Sequence, residues 1–172
     1  MQAMEVIGGT WTNISSDATL VRHLLDLYFC WEYPTLGSLS REYFLEDFER
    51  GSNRFCSSLL VNAILALGSR LSDRPASRAD PNEARTSGDH FFKEAEKLLW
   101  KDKDHYKLTT IQALGLMSIR EAGCGRDYES RYYAGQSTRL ALEMGLHQVT
   151  DSGTRDNAVR SATFWGAFSL DQ

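Results

Sequence analysis

SSLLVNAILALGSRL, residues 57–71, places Leu60, Ala63, Ile64, Leu67 and Leu71 on one broad stripe, three and four residues apart. An α-helix turns every 3.6 residues, so such positions share a face. The apolar residues are dense enough that this helix is expected to be buried on most of its circumference.

The same period recurs on either side. Leu20, Val21, Leu24, Leu25 and Tyr28 share one face, while Arg22, His23 and Asp26 fall on the other. Ser16 or Asp17 suits the N-cap of that helix, and Pro34 prevents its continuation. SREYFLEDFERG, from Ser40, is a shorter helix with Phe44 and Phe48 on one face, Ser40 as cap and Gly51 as stop. Residues 72–88 then change character: they are polar, carry two prolines and show no apolar period. A connection of that length is either mobile or functional.

Beyond it, Phe91, Phe92, Ala95, Leu98 and Leu99 mark a further helix, with Asp89 near its start and Lys97 and Lys101 near its end, as the helix dipole favours. LTTIQALGLMSI, from Leu108, is apolar on more than one side and reads as a central helix closed by Gly123. Asp127 is placed to cap the next helix, which turns Tyr133, Ser137, Leu140, Ala141 and Met144 inward. Gly145 ends it in the left-handed region, Leu146 packs back over the last turn, and Arg139 and Glu143 pair on the wet side. A final helix runs from about Asp156 to the end. No alternating strand pattern with hairpin punctuation is found. The expected fold is all-α, about seven helices in an irregular array, with Ile64, Leu67, Leu114 and Leu140 in the core.

The bulk composition sets limits on function. With 172 residues, 42% hydrophobic and 11% aromatic, the chain has room for a real core. A net charge of −4 argues against a basic nucleic-acid-binding surface in this stretch. No run approaches the roughly 18 apolar residues of a membrane span. MQAMEVIGGTW lacks the positive region and apolar stretch of a secretory signal, so an intracellular setting is the default reading.

Chemistry-bearing residues are scattered. Cys30, Cys56 and Cys124 offer no closely spaced zinc ligands. Cys30 and Cys56 sit beside aromatics and read as small buried hydrophobes, whereas Cys124, between Gly123 and Gly125, reads as an exposed turn cysteine with Arg126 its one basic neighbour. His90 with Glu94, and Glu143 with His147, lack the further ligands a helical metal site needs, and Gly145 breaks the second pair's geometry. His105 lies in the charged run KDKDHYK and His23 on a polar helix face. GCGRD, at 123–127, lacks the strand and lysine of a phosphate loop. The aromatic groups YFCWEY, RYY and FW are spaced like helix faces for core packing. No catalytic, cofactor-binding or metal-ligating residues are assigned.

The ordered series LLDLYFCWEYPTL, SSLLVNAILALGSRLS, a polar gap, GDHFFKEAEKLL, LTTIQALGLMSIREAGCGR, YYAGQSTRLALEMGLH and FWGAFSLDQ resembles the fungal-specific transcription factor domain. This is the middle homology region of fungal zinc-cluster transcription factors, and the likeness runs from about Leu20 to Asp171. WEYPTL, followed by SLSREYFLEDF, looks most like the group containing the activators of nitrate assimilation. The resemblance implies a nuclear regulatory domain that modulates transcription activation and is not an enzyme. Its expected partners are other regions of a transcription factor or co-regulatory proteins, with a small-molecule effector as a further candidate. The family's zinc cluster needs six closely spaced cysteines to hold its two metal ions and present a DNA-reading helix. Three scattered cysteines do not build it. Zinc and DNA therefore belong, by resemblance, to a module outside this chain, and no cofactor is expected within it. An α-helical scaffold is the alternative reading, with Ala134, Gly135 and Ala141 as small residues at helix crossings, although no period near 34 residues is present. A metabolite-binding helical protein is a third.

By the same resemblance, residues 1–16 form an N-terminal extension, and 17–172 form the N-terminal part of a larger helical domain with a polar loop at 72–88. The FW…D segment lies inside the family's domain, and Gln172 departs from the basic residue common after that aspartate. Phe164 and Phe168 lie one turn apart, and Trp165 is rotated about 100° from Phe164. Together they span an apolar arc expected to be only partly covered by this chain.

Overall fold

A computed structural model of the chain describes residues 9–148 and 153–172. The first half of the expected N-terminal extension, residues 1–8, lies outside the described residues. Among those described, seven α-helices are present: α1 Ala18–Leu27, α2 Arg41–Arg50, α3 Ser58–Ser69, α4 Asp89–Lys101, α5 Leu108–Gly123, α6 Asp127–Glu143 and α7 Arg155–Leu170. The one β feature among them is an isolated bridge between Arg78 and Ser87. The chain is all-α.

Two helices form the interior. α3 is buried from Leu59 through Ser69, and α5 from Thr109 through Ser118. α3 packs against α1, α4 and α5, while α5 also packs against α6 and α7. Ile64, Leu67, Leu114 and Leu140 all lie in the resulting core. Polar caps fix the helix starts: Asp17 accepts from the Thr19 and Leu20 amides, Ser40 from Tyr43, and Ser57 from Leu60. Gly51 and Gly145 stop α2 and α6 with positive φ. After α6, the Leu146 amide donates back to the Ala141 carbonyl at 3.0 Å and its side chain is buried, as the turn chemistry requires.

Several details depart from the sequence reading. α1 runs into a π-helical turn, Tyr28–Glu32, before Pro34. The wider turn shifts the inward face by one position, so Tyr28 and Phe29 are buried while Cys30 and Trp31 face solvent. Cys30 is therefore no buried hydrophobe, although Cys56 is. Leu71 is exposed because α3 ends at Ser69. The left-handed residue closing α5 is Gly125, where the Arg126 amide donates to the Glu121 carbonyl and the Gly125 amide to Ala122, both at 3.0 Å. That closure leads straight into α6, leaving Arg126 at the N-cap and Asp127 as the first helical residue. An added Cβ at Gly135 would meet open space, so only Ala134 and Ala141 of the three small residues are buried.

The 72–88 loop is folded upon itself. The Gly88 amide donates to the Ser77 carbonyl at 2.8 Å, and the Ala79 amide to Thr86 at 3.1 Å. Ser77 is buried and its hydroxyl donates to the Arg74 carbonyl. These local backbone bonds let a polar segment pack over a core with its amides at Ala79 and Gly88 satisfied. The N-terminal segment is tied down as well: Trp11, at φ 60°, stacks on Phe48 and donates from its indole to the Phe48 carbonyl at 2.9 Å.

Thr163 anchors α7. Its buried hydroxyl accepts from Gln112 Nε2 of α5 at 2.9 Å and lies within hydrogen-bond reach of the Ser38 and Val159 carbonyls. Thr163→Val should lower stability by about 2 kcal/mol, because the Gln112 amide is left buried without its acceptor. Thr163→Ser, which keeps the hydroxyl, should lose less than half of that in a urea titration.

Candidate interaction surface

α7 is seated on one side and bare on the other. Val159, Thr163, Gly166 and Ala167 are buried against the body. Gly166 packs directly on Ser38, whose Cα would lie 3.0 Å from an added Cβ. On the outer side, Phe164 stacks on Phe168 with centroids 5.9 Å apart, and Trp165 meets Phe168 edge-on at 6.0 Å. Phe164 is half-buried against the core, but Trp165 is 59% exposed and Phe168 40%. The apolar arc expected from the sequence is thus covered at Phe164 and open at its neighbours.

His147 forms one edge of this face, with its ring 6.0 Å from that of Phe164. A hollow of about 170 Å³ lies beside it, lined by Leu146, His147, Arg160, Phe164 and Trp165. Contiguous aromatic surface with polar groups at its rim is the composition of a protein–protein contact. Trp165→Ser combined with Phe168→Ser should reduce binding of an apolar-surface dye and any self-association. Stability should fall by no more than about 2 kcal/mol, since both rings are only partly covered and stack on Phe164 and on each other.

The remaining singled-out residues sit apart from this surface. His90 stacks on Phe91 beside the 72–88 loop, where burial lowers its pKa. Glu94 is on the same helix and pairs loosely with Lys97 at 3.9 Å. His105 is half-buried, its Nε2 bonded to the Leu99 carbonyl at 2.9 Å, and not the bare loop residue its charged neighbours imply. His23 contacts the Ser72 hydroxyl at 3.0 Å. Glu143 accepts from Arg139 and from the Tyr106 hydroxyl, both at 2.8 Å. Among the described residues no group of three or more His, Cys, Asp or Glu is placed to hold a metal ion, and no helix is long and apolar enough to cross a membrane.

One polar cluster has no counterpart in the sequence reading. Arg120 is 2% exposed, lies over the Phe92 ring at 4.4 Å, and pairs with Glu121 at 3.0 Å and with Asp89 of α4. Arg126 grips the same Glu121 carboxylate through two nitrogens. Burial alone would raise the Glu121 pKa, but hydrogen bonds from Arg126 and Arg120 outweigh it and hold the carboxyl below its usual range. The signal available in the sequence was the pair Arg120–Glu121 within an otherwise apolar helix.

Comparison with known proteins places the chain in a family. Residues 25–172 match the model of the fungal specific transcription factor domain. The chain is 45% identical over 94% of its length to the nitrogen assimilation transcription factor nirA of Emericella nidulans, and covers 19% of that protein. It is 44% identical over 95% of its length to the nitrogen assimilation transcription factor nit-4 of Neurospora crassa, covering 16% of it. Likeness extends, at 32% identity, to the notoamide biosynthesis transcriptional activator notL' of Aspergillus versicolor, of which the chain covers 26%. No solved structure matches. The chain spans less than a fifth of the two nitrogen-assimilation factors. With the family match reaching from α1 to the final residue, the chain belongs to the fungal-specific transcription factor domain family.

Proposed function

We propose that this chain is the regulatory domain of a fungal transcription activator of the nitrogen-assimilation kind, acting in the nucleus through protein contacts and not through catalysis. The observation that carries this is the 45% identity to nirA across 94% of the chain. The aromatic face of α7 supports a contact role: Trp165 and Phe168 are held outward by a helix whose other side is firmly seated. Its partners are other regions of the same transcription factor or co-regulatory proteins. Residues 17–172 act as part of a larger helical domain, and DNA is reached through a zinc-cluster module that these three cysteines do not form. The chain itself uses no cofactor or metal.

The test is a chimera. In Emericella nidulans, the nirA segment that aligns with this chain is replaced by it, and a nitrogen-responsive reporter is measured. Transcription should keep its dependence on nitrogen source, and Trp165→Ser with Phe168→Ser should weaken it at equal protein level. A chimera as silent as a deletion of the segment, with the protein present at the parental level, overturns the reading.

A further inference from the structure

We infer that an arginine-lined cleft between the end of α3 and the α5–α6 turn binds a phosphate-bearing ligand. The cleft has a volume of about 540 Å³, and its walls include Arg70, Arg85, Ser87, Asp89, Cys124 and Arg126. They come from three places distant in sequence: the residue after α3, the stretch from the turn Ala84–Thr86 to the start of α4, and the link from α5 to α6. Three arginines against one aspartate reverse the balance of a chain whose net charge is −4.

The guanidinium groups are positioned by the fold. Arg70 lies across Gly123, donating to its carbonyl at 2.9 Å, and its Cζ is 2.9 Å from where a Cβ would stand. Only glycine at 123 leaves that space, and Arg70 has a neutral partner there instead of a carboxylate. Arg126 is held by Glu121, and the Asp89 carboxylate is engaged by Arg120. Arg85 stands at the rim, 85% exposed, paired with Glu83. Arg126 and Arg85 thus each share their charge with a carboxylate, while Arg120 from behind the cleft engages Asp89. Arg70 is bonded to a carbonyl, and Arg85 keeps further N–H donors for an incoming anion.

A guanidinium fork matches the oxygens of a phosphate monoester, which carries close to two negative charges and accepts several charge-assisted hydrogen bonds. The wall exposes more polar than apolar surface, so charge and hydrogen bonding select the ligand. The volume exceeds that of a bare phosphate and falls within the range of small-molecule sites. A ligand bridging these three segments would stabilise their arrangement by mass action. This site is inferred from the cleft alone, so its test and the chimera succeed or fail separately.

Cys124 lines the cleft and is exposed, while Cys30 is exposed on the π-helical turn, so the two thiols form an internal comparison. In the 172-residue chain, iodoacetamide labelling of each is followed by mass spectrometry with millimolar inorganic phosphate, with chloride at matched ionic strength, and with a phosphoserine peptide and its unphosphorylated twin. Phosphate should slow labelling of Cys124 severalfold and leave Cys30 unchanged. Arg85→Gln, at a side chain too exposed to affect folding, should weaken protection about tenfold, as expected for one lost charge-assisted contact. Adding Arg70→Gln should abolish it. Tighter protection by the phosphopeptide assigns the phosphate to a protein segment, and protection no better than inorganic phosphate assigns it to a free small molecule. Equal protection by chloride, an unchanged Cys124 rate in phosphate, or full protection in Arg85→Gln overturns the inference.

Discussion

Gly88→Ala should lower the melting temperature by about 10 °C, corresponding to about 3–4 kcal/mol for a chain of this size. Two independent effects combine. Gly88 has φ 78°, which disfavours any residue with a Cβ by about 1–2 kcal/mol. An added Cβ would also press into the Ala66 backbone of α3, with the Ala66 Cα 3.0 Å away and the carbonyl closer still. Backbone within a buried helix has little room to retreat, so overpacking adds about 1–3 kcal/mol. Gly51→Ala separates the two effects. Gly51 has φ 74°, but nothing lies within 4 Å of its added Cβ, so only the conformational part should appear. Equal losses for both variants in a chemical denaturation series would show that α3 yields at Ala66.

Glu121→Gln should destabilise the protein by about 3 kcal/mol at neutral pH, because it leaves the buried Arg120 with Asp89 as its remaining anion. The variant should also have a distinctive pH profile. The carboxyl pKa in the fold lies below its ordinary 4.5. The stabilisation is therefore fully present above that ordinary value and is lost as pH falls through the folded one. Wild type should lose stability in that acid window, and Glu121→Gln should lose less there because it has no carboxyl to protonate. Melting temperatures measured from pH 7 down to pH 3 check both parts. Parallel curves would mean that other carboxylates carry the acid sensitivity.

The helices are legible in the sequence because burial in an all-α chain writes itself at the 3.6-residue period. Leu60, Ile64 and Leu67 show this in α3, and Ser40, Ser57 and Gly145 mark boundaries through local backbone chemistry. What escapes is whatever depends on partners distant in sequence. Cys30 turns outward because a π-helical turn inserts an extra residue, which no apolar spacing announces. Asp127 resembles a cap, but the closure at Gly125 uses Arg126 first. The α7 surface is half legible: the arc of Phe164, Trp165 and Phe168 follows from spacing, while the seating of Thr163 against Gln112 and Ser38 does not. The Arg120–Glu121–Arg126 cluster reads as ordinary charge until α4 brings Asp89 and Phe92 alongside.

The docking of Trp11 on Phe48 has an optical consequence. Of the four tryptophans, Trp31 and Trp100 are each 70% exposed and Trp165 is 59% exposed. Their emission should already resemble that of indole in water while the protein is folded. Trp11 alone is half-covered, stacked on a ring and bonded to a carbonyl. Changes in intrinsic fluorescence should therefore follow the seating of residues 9–16 on α2 more than the loss of the core. A fluorescence midpoint that falls before the loss of helical ellipticity would time the release of that segment.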